Sequence, residues 1–158
     1  MFLHAWFMDL ANSPLGHFMQ ASRWGFAVAE MVHLLALALL GGSVLVVDLR
    51  LLGVILRGES AHLIGRDLGR LTIGSLVVMA LSGIAMLSEE AGKCYFSPAF
   101  RLKMALLAAA LLFHFTLHRR AIARAENGRT LLWNRMAAIL SLLLWLGVGV
   151  SGRAIGLL

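Results

Sequence analysis

Charged residues are scarce in this sequence. Only 14% of the 158 residues are Asp, Glu, Lys or Arg, 60% are hydrophobic, and the mean hydropathy is +0.85. Soluble domains carry about 25% charged and about 45–50% apolar residues. This composition excludes a water-soluble protein, and the length suits a single transmembrane domain over residues 1–158.

Cysteine and recognisable nucleophiles are also nearly absent. Cys94 is the only cysteine, so the chain has no intrachain disulfide and no CxxC redox or zinc motif. No serine or cysteine has a base at a readable spacing, and residues 41–43 (GGS) lack a phosphate-loop pattern, so hydrolysis finds no support. Residues 1–20 lack a basic segment and include Asp9, so we expect no cleaved signal peptide.

Four apolar stretches are each long enough to cross a bilayer as a helix, at residues 24–47, 71–88, 99–117 and 136–152. Residues 1–22 mix apolar and polar side chains and are broken by Pro14, which is typical of an interfacial helix. The sequence therefore predicts an all-α fold, an integral membrane four-helix bundle with an N-terminal interfacial helix. The lipid bilayer is its expected surroundings.

Basic residues outnumber acidic ones by 14 to 8. They interrupt apolar runs and form no basic face with interleaved aromatic residues, so we expect no nucleic-acid partner. Most lie in the two connections between spans one and two and between spans three and four. The excess of Lys and Arg on cytoplasmic loops predicts that these connections face the cytoplasm and that both termini lie outside the cytoplasmic (inner) membrane.

Two faces carry polar residues inside the spans. On the first span Glu30 and His33 share one helix face, and Asp48 follows fifteen residues later close to the same face. Intramembrane ionisable residues are functional candidates because they are costly to bury in lipid. Arg153, late in the fourth span, lies at the level of Glu30 and could neutralise it.

The third span repeats this spacing. Lys103, His114 and His118 share a face, and Lys103 precedes His118 by fifteen residues. Spans one and three run in the same direction. If Lys103 lies level with His33, His118 therefore lies level with Asp48.

Imidazole is a common ligand of haem iron, and a four-helix membrane bundle can hold a porphyrin between two helices. His33 is the predicted metal ligand of a b-type haem, which indicates a redox or electron-transfer role. Ligation by His33 and His114 together is unfavourable, because ~16 Å separate their levels at 1.5 Å rise per residue. His33 opposite Lys103, or His33 alone, fits better.

Two families resemble this sequence. Residues 33–51 and 103–114 resemble the first and third helices of the haem-binding HemJ-type protoporphyrinogen oxidase and, more loosely, copper-resistance D membrane domains. That resemblance implies His33 as the haem ligand, with Arg50, Lys103 and His114 as further site residues. The whole chain resembles an uncharacterised family of small bacterial four-helix membrane proteins, through the E-x-x-H, D-L-R-L-L-G, F-x-x-K and G-R patterns at residues 30–33, 48–53, 100–103 and 152–153.

Several other interpretations stay open. Glu30 could pair with Lys103 or Arg153 only to hold the helices together, and His33 could be a hydrogen-bonded packing residue. The chain would then be a non-enzymatic structural or assembly subunit of a membrane complex. His118 next to Arg119 favours an interfacial position over a metal pair with His114.

The outer segment offers a second metal hypothesis. His4, Met8, His17 and Met19 carry the imidazole and thioether groups that suit copper, although amphipathic anchoring explains them as well. A transporter of this size would need a homo-oligomer or other membrane subunits to enclose a path. Whether the chain is an enzyme stays open. Glu89 and Glu90 are expected to form a solvated loop with Lys93.

Overall fold

The computed structural model describes residues 2–56, 58–124 and 131–155, and all regular elements in these ranges are helices. In chain order they are α1 (Phe2–Ala11), α2 (Pro14–Ala21), α3 (Gly25–Leu52), α4 (Ala61–Glu89), α5 (Ala91–Phe96), α6 (Pro98–Phe113), a π-helical turn (His114–His118), α7 (Arg119–Arg124) and α8 (Leu131–Ile155).

Four helices are long and apolar enough to cross a membrane, which confirms the all-α membrane fold. They cover Gly25–Leu52, Ala61–Glu89, Pro98–Ala123 and Leu132–Ile155. Each extends beyond the apolar stretch that predicted it. The second span gains the most, since it begins ten residues earlier at Ala61, where the Ser60 hydroxyl accepts a hydrogen bond from the Leu63 N–H (3.3 Å).

The N-terminal segment forms two short helices where the sequence predicted one. The Ser13 hydroxyl caps α2 by accepting a hydrogen bond from the Gly16 N–H (3.1 Å), and Pro14 occupies the first helical position. α1 packs mainly against α5, and α2 against α4. Both helices therefore lie at the end of the bundle that carries α5.

The two ends of the bundle differ in charge. We call the end that holds the α3–α4 connection and α7 the basic end, and the end that holds α1, α2 and α5 the opposite end. At the basic end, α3 stops at Gly53, whose φ of 75° is the left-handed conformation that favours glycine. Arg50 closes this connection by donating hydrogen bonds from Nε (2.8 Å) and Nη2 (2.5 Å) to the Glu59 carbonyl.

The long helices are arranged in the spatial order α4, α3, α8 and α6, and the bundle is open between the first and the last of them. α3 packs along α4, α3 also packs on α8, and α8 packs on α6. The third span meets α4 chiefly through α7, at the basic end. α4 and α6 themselves therefore make few direct contacts.

An apolar layer fills the middle of the bundle. It consists of buried Ala36, Leu40, Val44 and Met79, with partly buried side chains packed around them, namely Leu37, Leu76 and Trp145. Leu40 is 0% exposed. This layer divides the polar side chains of the first and third spans into two groups.

Candidate functional site

His33 is half-buried between α3 and α4. Its Nδ1 lies 2.9 Å from the Ser82 hydroxyl, and that hydroxyl donates to the Val78 carbonyl at 2.7 Å. Because the single hydroxyl proton is used on Val78, the Ser82 oxygen accepts from the Nδ1–H of His33. The Nε2 atom then keeps the free lone pair of the neutral ring.

Two glycines and a lysine complete the surroundings of His33. A Cβ at Gly83 would lie 3.4 Å from His33 Cε1, so the ring rests on bare helix backbone. Lys103 is half-buried and close enough to His33 to interact with it electrostatically. A Cβ at Gly152 would lie 3.5 Å from Lys103 Cε and Nζ, so the lysine chain runs over a second bare glycine. His33 and Lys103 thus lie at one level, as expected.

Glu30 does not form the ion pair that the sequence suggested. Among the described residues the side-chain ion pairs join Arg66 to Asp67, Lys93 to Glu90 and His118 to Asp48. Glu30 is half-buried one turn before His33, whereas the Arg153 side chain is exposed. The two charges share an end of the bundle without contact.

Asp48 and His118 form a buried pair on the other side of the apolar layer. His118 Nε2–H donates to Asp48 Oδ1 at 2.6 Å, and both side chains are 0% exposed. The fifteen-residue spacing correctly placed these two residues level. The interfacial position expected for His118 was wrong, because the Asp48 carboxylate holds the ring inside the bundle while the arginines that follow turn outward.

The π-helical turn brings His114 beside this pair. The Arg119 N–H donates to the His114 carbonyl, five residues back, which widens the helix by one residue. The rings of His114 and His118 stack with centroids 5.2 Å apart and an interplanar angle of 27°. The edge of His114 also faces Trp145 of α8, at 6.4 Å between centroids.

Several buried polar atoms near this pair have no hydrogen-bond partner within the described part of the chain. These atoms lie either between the apolar layer and the basic end or at the apolar layer itself. They are Asp48 Oδ2, Ser75 Oγ, His114 Nδ1, His118 Nδ1, Asn134 Oδ1 and Ser141 Oγ. The Ser141 hydroxyl lies beside the Asp48 carboxylate without hydrogen-bond geometry. Such atoms are costly in a folded interior and mark a candidate site.

A groove of about 420 Å³ opens beside the histidines, between α4 and the third span. Apolar residues and glycines form much of its wall, with His114 and His118 at its inner side. Its remaining polar lining comes from His62, Arg66, Arg70, Thr72 and Arg119. It is a lateral groove whose cationic groups gather toward the basic end.

The candidate residues therefore fall into two places. His33, Lys103, Glu30 and Arg153 lie toward the opposite end, and His114 lies with Asp48 and His118 beyond the apolar layer. Arg50 is engaged with the α3–α4 connection. The matched spacing in the sequence indicated that Asp48 and His118 lie level. The sequence did not show that the pair is buried, and burial is what marks it as a candidate site.

The histidines and methionines considered as copper ligands contact different parts of the structure. His4 packs edge-on against Tyr95 (5.0 Å between centroids), Met8 reaches toward Gly92, and Met19 is buried against Gly25 at the start of α3. Over the described ranges, no three or more His, Cys, Asp or Glu side chains converge as metal ligands. Haem needs only one or two protein ligands, so His33 still fits it.

The connection between the second and third spans carries two shifted ionisable groups. Lys93 Nζ donates to Glu90 Oε1 at 2.7 Å, and this bond raises the pKa of the exposed Lys93 ammonium. The solvated loop expected here was wrong, because Glu89 ends α4, Lys93 lies in α5 and both glutamates are half-buried. Burial raises the pKa of the Cys94 thiol. Cys94 therefore stays protonated at neutral pH, when it is a poor nucleophile and metal ligand.

Comparison with known proteins gives one family and no characterised relative. No curated protein and no solved structure matches the chain. Residues 8–158 match a family of unknown function (DUF6644). Because the match covers nearly the whole sequence and all four long helices, the chain belongs to this DUF6644 family.

Proposed function

We propose that this protein binds a b-type haem between α4 and α6, with His33 as a ligand of the iron, and that it carries electrons in the membrane. The observation that carries the proposal is the Ser82–His33 hydrogen bond. With the Ser82 hydroxyl donating to the Val78 carbonyl, this bond assigns the ring proton to Nδ1 and leaves the Nε2 lone pair of a half-buried imidazole for a metal. Metal-ligating histidines almost always have their other ring nitrogen held in this way.

The surroundings of His33 also fit a flat ligand. Gly83 lets the His33 ring lie close against the backbone of α4, and Gly152 lets the Lys103 chain lie close against the backbone of α8. Among the described residues α6 packs mainly on α8 and makes few contacts with α4, so a ligand between α4 and α6 would displace few helix contacts. In this proposal Lys103, which is half-buried, acts as the second ligand or as a counter-charge, and Arg153, which is exposed, binds a propionate at the opposite end.

Haem would supply a one-electron carrier, and the protein would supply its position and its exclusion from water. Ser82 orients the imidazole, and the apolar layer beyond His33 keeps water of the basic end away from the iron site. The partial resemblance to HemJ-type helices and copper-resistance D domains also implies His33 as a ligand. We further propose that the protein lies in the inner membrane with its basic end in the cytoplasm, which the positive-inside rule supports.

The test is an absorption spectrum of the full chain, expressed with ample haem and purified in mild detergent. We expect a Soret band and reduced-minus-oxidised α and β bands. Ser82→Ala frees the ring and should weaken haem binding about tenfold or more. The matched control is Ser88→Ala, which removes an equally buried hydroxyl bonded only to its own helix at the Ala85 carbonyl (2.7 Å).

A wild-type protein without a Soret band would overturn the proposal. Equal haem affinity in Ser82→Ala and Ser88→Ala would remove the role assigned to Ser82. Copper in elemental analysis, with no haem, would favour the outer histidines and methionines instead.

A structural or assembly subunit is the second candidate, and the exposure of the third span favours it. In the most apolar window of each span, 6% of the third is buried against 33% of the first. A poorly covered span is available to lipid, a second copy or another membrane subunit. In this case His33→Ala would lower stability with no cofactor to lose.

A further inference from the structure

The groove near the basic end has the shape of a site for one extended apolar chain. α4 forms one wall, and the π-helical turn with α7 forms the other, while Val44 and Val47 of α3 form the floor. Its volume of about 420 Å³ falls in the range of small-molecule sites, roughly 300–1,000 Å³. The groove opens sideways, where lipid surrounds a membrane protein.

Glycine makes the α4 wall flat. Gly65 and Gly69 both line the groove, one turn apart. At Gly65 the groove is closed, because a Cβ there would lie 2.8 Å from Ile122 Cγ2. At Gly69 it is open, because nothing lies within 4 Å of the position of a Cβ. The free space therefore begins above the Gly65–Ile122 contact and runs toward the apolar layer.

The open part of the groove has cations at its mouth from both walls. Arg66 and Arg70 come from α4 and Arg119 from the third span. Arg66 Nε has a weak, exposed partner in Asp67 Oδ1 at 3.5 Å. Arg70 and Arg119 have no ion pair or side-chain hydrogen bond with any residue that the structure describes. Two guanidinium groups that have no ion-pair partner among the described residues thus line an apolar groove from its two walls.

From this arrangement we infer that the groove binds an anionic phospholipid, with its phosphate between Arg70 and Arg119 and one acyl chain along Gly69 and Ile73. Guanidinium groups bind phosphate oxygens through paired N–H donors, and basic pockets between spans are sites for anionic headgroups. An acyl chain fills the space over Gly69 that no side chain occupies. The site is separate from His33 and does not depend on haem.

The experiment measures lipid binding by native mass spectrometry of the full chain, in detergent micelles that contain either phosphatidylglycerol or phosphatidylcholine. We expect phosphatidylglycerol to bind about tenfold or more tightly than phosphatidylcholine. The double variant Arg70→Gln/Arg119→Gln should lose that preference. Its control is Arg120→Gln/Arg135→Gln, which removes the same charge from exposed positions near the same end outside the groove.

A second variant separates the groove from surface charge. Gly69→Leu fills the space over the glycine and should abolish phosphatidylglycerol binding with all arginines present. Its control is Gly74→Leu on the same helix, where a Cβ also meets nothing within 4 Å but the residue does not line the groove. Both substitutions replace glycine in a helix by a better helix former, so both variants should fold.

Four results would overturn the inference. Equal binding of the two phospholipids would remove the role of charge, and retained binding in Gly69→Leu would place the lipid on the surface. Competition by inorganic phosphate alone, to the same extent as by phosphatidylglycerol, would make the site one for a free anion. Recovery of a neutral isoprenoid quinone in place of phospholipid would assign the groove to a different ligand.

Discussion

At the scale of single residues, the Asp48–His118 pair differs from the other ion pairs that the structure describes because it is fully buried. Both side chains are 0% exposed, and the bond is 2.6 Å long. Removing one partner of such a pair leaves the other buried and uncompensated, which costs more than the pair itself contributes.

Asp48→Asn should therefore destabilise the protein, by about 2–3 kcal/mol, because it removes the carboxylate charge and keeps the volume. The measurement is unfolding by a denaturing detergent, followed by circular dichroism. Asp67→Asn is the matched control, since its exposed pair with Arg66 should contribute less than about 1 kcal/mol. Equal stability of the two variants would contradict the account of the buried pair.

Sequence spacing located this pair but not its environment. Equal fifteen-residue intervals, from His33 to Asp48 and from Lys103 to His118, predicted that the two residues would be level. The burial of His118 was not predicted, because the neighbouring Arg119 favoured a position at the membrane–water interface. The position of a residue in the chain does not show which way its ring turns. The same limit applies to Ser82, whose bond to His33 joins two spans and has no sequence signature.

At the scale of elements, the four long helices were predictable and their ends were less so. α3 has 28 residues and α4 has 29. At a rise of about 1.5 Å per residue, both helices are longer than the ~30 Å thickness of the hydrocarbon core. Hydropathy finds only the part inside the lipid. The remaining turns follow from caps such as Ser60 and Gly53, and from packing that continues beyond the apolar core.

The π-helical turn at residues 114–118 could not be predicted from the sequence. An α-helix and a π-turn have the same hydrophobic pattern over five residues, so no periodicity distinguishes them. The turn exists where His118 meets Asp48 of another helix. Within this turn His114 stacks on His118, and both residues line the groove.

At the scale of the whole molecule, the apolar layer divides the bundle into two polar halves. His33 and Lys103 lie on one side, and Asp48, His114 and His118 on the other. The sequence placed these polar groups on one face of each of the two spans. Apolar residues of the first, second and fourth spans, with Leu40 at the centre, lie between the two groups.

The proposed orientation can be tested on intact cells. In a Cys94→Ser background, Asn12→Cys should react with a membrane-impermeant maleimide added from outside, whereas Gly58→Cys should react only after the membrane is opened. Asn12 and Gly58 are both exposed, and they lie at opposite ends of the bundle. The reverse labelling pattern would contradict the proposed orientation and would place the basic end outside the cell.

The most direct test of the two-halves account is haem content per polypeptide, measured as the pyridine haemochrome, in His33→Ala and Asp48→Asn purified side by side. Each variant removes the central group of one polar half. We expect haem near zero in His33→Ala and wild-type haem content in Asp48→Asn, because the two groups lie on opposite sides of the apolar layer. Full haem content in His33→Ala, or haem lost only in Asp48→Asn, would contradict it.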